Sequence, residues 1–145
     1  MKTLNDWLLA YGETHQNKTN RTIHLICVPL ILFSVVGMLW CIPKGFLFPD
    51  IKYVNWSHIV TIFALIFYAR LGLKPFLLML STFIAVNIVL MFLDSNTTQL
   101  LTLNIIIFVL AWIGQFYGHH IEGKKPKFYQ DLQFLLIGPL WVYYH

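Results

Sequence analysis

Six histidines stand in a chain of 145 residues that otherwise carries few reactive groups. Two lie near the start, His15 and His24. Two lie near the end, in the run Gln115-Phe-Tyr-Gly-His119-His120-Ile-Glu122. His119 and Glu122 are i, i+3, and Gln115 is i−4 from His119, so on a helix the three share a face. Imidazoles with a carboxylate and open positions suit non-haem Fe(II), among other divalent metals. Imidazoles near a membrane boundary also serve structural roles, and spacing alone leaves both readings open. No Ser/His/Asp nucleophile arrangement, P-loop or G-x-G-x-x-G is present to suggest other chemistry.

The elements that must position these residues follow from composition. Hydrophobic residues make up 58% of the chain and charged residues 11%, with a mean hydropathy of +0.68. A soluble domain carries about 25% charged residues, so a soluble enzyme, a nucleic-acid module and a disordered tail are all excluded. The expected class is an all-α integral membrane protein, one helical domain over residues 1–145. Four apolar runs, 23–42, 56–73, 75–93 and 100–118, are each close to the ~20 residues that span a bilayer core, which predicts about four transmembrane helices. A fifth run, 132–145, is shorter and contains Gly138-Pro139. It reads as a short re-entrant or interfacial helix. Cys27 and Cys41 lie in one run, about 21 Å apart on a helix rising ~1.5 Å per residue, too far for a disulfide.

Charge orients the spans. Of the ten Lys and Arg, eight fall on one side: Lys2, Lys18, Arg21, Arg70, Lys74, Lys124, Lys125 and Lys127. Only Lys44 and Lys52 fall on the other. This split predicts both termini in the cytoplasm, with Trp40, Tyr53, Trp56 and Tyr68 near span ends as an aromatic belt. His15, His24, His119 and His120 then share one depth, the cytoplasmic rim, whereas His58 lies near the opposite face. Leu4, Trp7, Leu8, Tyr11 and His15 form one helical stripe, which predicts an amphipathic interfacial helix over 3–16 with His15 pointing inward. Asn17 and Asn20 make the turn into the first span, with Thr19, Asn20 or Thr22 as its cap. Asn87 and Asn104, inside spans, are expected to form interhelical hydrogen bonds.

Two stretches carry more specific information. The first is Tyr11-x3-His15-x-Asn17-x2-Asn20-x3-His24-x4-Pro29. The second is Trp112-x2-Gln115-x2-Gly118-His119-x2-Glu122-x3-Pro126, followed by Gly138-Pro139-Leu140. In these the chain resembles the small membrane 2-hydroxy-fatty-acid dioxygenases, typified by the fungal enzyme that takes phytosphingosine to odd-numbered fatty acids. The resemblance implies an Fe(II)-dependent α-oxidation of 2-hydroxy fatty acids, consuming O2 and releasing CO2. It implies His15, His24 and His119 as metal ligands; His120, next in sequence and at the same depth, is a further candidate without a counterpart in that resemblance. On that reading Glu122, Tyr11 and Gln115 are the candidate catalytic residues, Glu122 completing the metal shell or orienting a histidine. Asn17, Asn20, Lys124 and Lys125 are candidates for binding the substrate head, a lysine attracting its carboxylate. The expected partners are a 2-hydroxy fatty acid, O2 and the lipid bilayer, without nucleic acid. The expected location is a bacterial inner membrane or the endoplasmic reticulum, with the site on the cytoplasmic side. Two rival functions fit the same composition: a b-type haem electron carrier with paired axial histidines, and a non-enzymatic scaffold or transporter subunit.

Overall fold

The computed structural model describes residues 2–43, 54–126 and 133–144. Lys44, Lys52, Tyr53 and Lys127, used above to orient the chain, lie outside the described residues, as does His145. Six helices follow in order: α1 (Leu4–Gly12), α2 (Lys18–Trp40), α3 (Trp56–Leu71), α4 (Leu73–Asn96), α5 (Leu100–Glu122) and α6 (Phe134–Val142). No strand occurs among the described residues, and the all-α expectation holds.

Three helices, α2, α4 and α5, are long and apolar enough to cross a membrane, with 23, 24 and 23 residues. At ~1.5 Å per residue each is about 35 Å long, enough for a ~30 Å hydrocarbon core. The expected second span, α3, has 16 residues and falls short of that length. It ends because Gly72 takes φ +130°, a conformation that L side chains rarely adopt. Large apolar side chains such as Phe63, Ile88, Phe92 and Leu110 are exposed on these helices, as side chains facing lipid rather than water would be.

The chain divides into two compact units, residues 1–32 with 108–145, and residues 33–107. In the second, Asn55 accepts the Ser57 N–H at 3.0 Å and caps α3, and its own N–H reaches His58 Nδ1 at 3.4 Å. His58 therefore works within the start of α3. Tyr68, expected in an aromatic belt, is fully buried in this unit instead. Asn87 and Asn104 correct another expectation. Each donates its Nδ2–H at 2.8 Å to a carbonyl one turn back on its own helix, Phe83 and Leu100. Within a helix that carbonyl is the nearest acceptor, so the amide bonds locally rather than across helices.

The first unit holds the residues of chemical interest. Helix α1 opens with a capping box: Asp6 N–H donates to Thr3 Oγ1 at 3.2 Å, and Thr3 N–H donates to the Asp6 carboxylate at 2.8 Å. Those bonds hold the Asp6 carboxyl below the usual carboxylate range. With nine residues, α1 is too short to be stable alone. Its buried face, Trp7 and Tyr11, packs on α6. Trp7 meets Phe134 edge-on at 5.0 Å, and Tyr11 meets Trp141 at 5.4 Å. The apolar stripe of the sequence is thus covered by the C-terminal helix.

Candidate functional site

Three histidines converge in the first unit, each from a different element. His15 follows α1, His24 lies in the first turns of α2, and His119 lies in the last turn of α5. They are 4%, 1% and 6% exposed. Their ring centroids are 4.2 Å apart for His15 and His24, 4.8 Å for His24 and His119, and 5.1 Å for His15 and His119. His24 Nε2 is 3.2 Å from His119 Nε2. One coordinating nitrogen from each lies within 4.8 Å of the others.

Local backbone chemistry aims two of these rings. His15 Nδ1 donates to the Tyr11 carbonyl at 2.6 Å, and His24 Nδ1 donates to the Asn20 carbonyl at 3.0 Å. A carbonyl only accepts, so Nδ1 carries the proton in both rings and Nε2 keeps its lone pair. This is the tautomer that metal-bound imidazoles adopt when their other nitrogen is held by a carbonyl. Several lone pairs gathered in a buried space are satisfied together by one divalent cation, and nitrogen donors suit zinc, copper and iron. The residues present therefore fit a metal.

His15 is not on α1 itself, contrary to the expected helix over 3–16. The Tyr11 carbonyl, which would close an α-turn with the His15 N–H, instead accepts the His15 ring and the Thr14 hydroxyl, the latter at 3.2 Å. The His15 N–H turns to Gly12 O at 3.0 Å. Local side-chain bonds thus end the helix and leave the imidazole stacked on the Tyr11 ring, 4.3 Å away and 5° from parallel. Trp141 of α6 closes another side of His15 at 5.1 Å. Burial raises the Tyr11 pKa above its ordinary value, so the phenol stays neutral.

The approach of α2 to α5 rests on two glycines, Gly114, not singled out above, and Gly118, noted there only as part of a motif. A Cβ on Gly114 would lie 2.7 Å from Cys27 Sγ, and one on Gly118 would collide with the Asn20 side-chain amide. Gly114-x-x-x-Gly118 is the spacing that lets helices pack closely in membranes, and that pattern was the available signal. Trp141 was also passed over, although it follows Gly138-Pro139-Leu140 directly.

The remaining candidates fall around this centre. Asn17 is exposed and caps α2, its Oδ1 accepting from Thr19 N–H at 2.9 Å and Asn20 N–H at 3.3 Å. The cap is therefore Asn17, not Thr19, Asn20 or Thr22, because it stands at the last residue before the helix. Asn20 is fully buried, and its Nδ2 donates to Thr14 O at 3.0 Å and to Glu122 Oε2 at 3.2 Å. The Glu122 carboxylate also accepts the N–H groups of Gln16 at 3.0 Å and Asn17 at 2.8 Å. It sits at the start of α2, where the positive end of the helix dipole favours an anion, and not among the three clustered imidazoles. Lys124 Nζ donates to Glu13 O at 2.7 Å. Glu122 and Lys124 thus hold the two ends of the turn that carries His15. Gln115 is buried and lies one turn before His119 on α5. His120 and Lys125 are exposed, and His120 stands outside the cluster.

Glu122→Ala is expected to speed amide exchange at Gln16 and Asn17 about tenfold, since both lose a charged acceptor at a half-exposed site. Hydrogen exchange with mass spectrometry reads this. Unchanged exchange at both amides would remove Glu122 from the turn.

A family model described as "2-hydroxy-palmitic acid dioxygenase Mpo1-like" matches residues 1–145. The 2-hydroxy-palmitic acid dioxygenase MPO1 of Saccharomyces cerevisiae is 28% identical over 134 residues, covering 91% of this chain and 72% of that protein. No solved structure matches.

Proposed function

Because the chain belongs to the Mpo1-like family, we propose that it is an Fe(II)-dependent dioxygenase acting on 2-hydroxy fatty acids at the cytoplasmic rim of a membrane. The observation that carries this reading is the buried trio His15, His24 and His119, with coordinating nitrogens within 4.8 Å of one another. These three residues would hold the iron. Bound there, Fe(II) would supply the redox chemistry with O2 that the protein's own side chains lack. In the overall reaction a 2-hydroxy acid and O2 give the acid one carbon shorter, CO2 and water. The bond between the carboxyl and the hydroxyl-bearing carbon breaks, and that carbon becomes the new carboxyl.

The chain's residues do the positioning. The Tyr11 and Asn20 carbonyls keep the Nδ1 protons of His15 and His24, so neither ring has to change tautomer to bind. Tyr11 and Trp141 pack on His15 and keep bulk water from it. The apolar helices suit an acyl tail, and the polar end of the unit suits its head.

The haem alternative fits less well. Axial imidazoles flank a porphyrin on opposite faces, whereas these rings stand edge to face with centroids 4.2–5.1 Å apart. A scaffold reading gives no reason for three buried imidazoles to converge.

The test is anaerobic Fe(II) reconstitution of detergent-purified protein, followed by 2-hydroxyhexadecanoate and O2. Near-stoichiometric iron without a Soret band, with O2 consumption matched by CO2 and the acid one carbon shorter, is expected. Iron-loaded protein that leaves the hydroxy acid intact would overturn the proposed reaction, and protein that takes up no iron would overturn the metal assignment.

A further inference from the structure

The run Gly138-Pro139-Leu140 stands out in the sequence yet offers no reactive side chain. In the structure all three residues are buried within α6. Space, not backbone conformation, calls for the glycine, since the glycines with positive φ are Gly72 and Gly123. Alanine also favours a helix interior over glycine, so α6 by itself gives no reason for Gly138. The reason lies across the contact. A Cβ on Gly138 would stand 3.0 Å from the Tyr11 hydroxyl, 3.6 Å from Tyr11 Cζ and 3.4 Å from Val28 Cγ1. The phenol end of Tyr11 therefore rests against the α6 backbone where a side chain would begin.

An added methyl group finds little room to be absorbed. Val28 of α2 stands on one side of it. On the other is the Tyr11 ring, buried and hemmed in by Trp141 at 5.4 Å and Phe134 at 6.3 Å, both from α6. The face of that ring is stacked on the His15 imidazole, 4.3 Å away and 5° from parallel. Two parallel rings in contact within a close-packed interior move together. The Tyr11 carbonyl holds His15 Nδ1 at 2.6 Å as well, so the ring and the backbone of one residue both aim this imidazole.

We propose that Gly138 is a positioning residue of the metal centre. By leaving room for the Tyr11 hydroxyl, it fixes how the Tyr11 ring, and the His15 imidazole stacked on it, face the other two histidines. The proposal rests on the metal reading above and gives the C-terminal helix a part in it.

The experiment is a double-mutant cycle in nanodiscs: wild type, Gly138→Ala, Tyr11→Phe and the double variant. Each is titrated anaerobically with Co(II) against a chelator, and the Co(II) absorption bands are recorded. The unfolding temperature of each metal-free protein is measured beside them. Gly138→Ala is expected to weaken Co(II) about tenfold and to shift its bands, the usual consequence of disturbing a ligand's support. In the Tyr11→Phe background the hydroxyl is gone, and the atoms left are at 3.4 and 3.6 Å, ordinary contact distances. There the same change should cost less than about threefold, because the two residues are coupled. Equal losses in the two backgrounds overturn the proposal. So does a lower unfolding temperature with wild-type Co(II) affinity and bands, which is what a merely structural glycine predicts. If Gly138→Ala alone does not fold, the double variant carries the test. Folding and Co(II) binding restored by Tyr11→Phe support the contact, and failure in that background as well overturns it. Wild type that takes up no Co(II) overturns the metal reading itself, and this inference with it.

Discussion

His24→Ala is expected to lose iron and, with it, all measurable oxidation of 2-hydroxy acids. His24 lies within 4.2 Å of the His15 ring centroid and 4.8 Å of that of His119, and its Nε2 is 3.2 Å from the His119 Nε2. It is the most buried of the three, at 1% exposed. Removing residues that merely support a metal ligand costs roughly 10–100-fold in metal affinity, so removing this ligand is expected to exceed that range. The expected readout is iron content after anaerobic reconstitution and desalting, beside O2 consumption on 2-hydroxyhexadecanoate. His120→Ala is the control. That side chain is exposed and stands outside the cluster, so its variant should match wild type in both measurements. A His24→Ala protein with full iron and full turnover would remove the trio as a metal centre.

Gly118→Ala is expected to damage both stability and metal binding, although it adds only a methyl group. The new Cβ collides with the Asn20 amide. Asn20 cannot move cheaply, because its Nδ2 holds Thr14 O at 3.0 Å and Glu122 Oε2 at 3.2 Å while its carbonyl holds the His24 ring at 3.0 Å. Overpacking of this kind costs about 1–3 kcal/mol. The displaced Asn20 carbonyl also releases His24 Nδ1, and a fall in iron affinity of roughly 10–100-fold follows from losing that support. Thermal unfolding in detergent and an iron titration measure the two effects. The mechanism makes a stricter claim, that the two sites are coupled. In an Asn20→Ala background the methyl group has nothing to strike, so Gly118→Ala should cost less stability there than in wild type. Strictly additive losses would show that the close approach of α2 and α5 does not act through Asn20.

Particular residues show how far the sequence reading went. The ends of α2, α4 and α5 lie within a few residues of their apolar runs, because a lipid-spanning helix is written as an unbroken apolar length. The boundary between α3 and α4 was expected at 73–75 and falls at Gly72, where a φ of +130° breaks the helix. His15 was placed on the correct face but on the wrong element, since the turn that ends α1 depends on bonds from the His15 ring and Thr14 hydroxyl to one carbonyl. Glu122 was expected to complete the metal shell or orient a histidine, whereas its carboxylate accepts the Gln16 and Asn17 N–H groups. Its work at the start of α2 was invisible, because sharing a helix face with His119 says which way it points and not what it meets.

By itself the sequence determined the class of molecule, the helices and the short set of residues able to bind a metal. All three depend on local information: apolar length, helical period and side-chain chemistry. Only the tertiary structure decided which histidines meet, and that Glu122 and Lys124 clasp the turn around His15. Those outcomes join residues about a hundred positions apart, and they turn on how closely two helices approach where Gly114 and Gly118 present no side chain. Packing distance of that kind is set by every atom at the contact at once, so no local pattern encodes it.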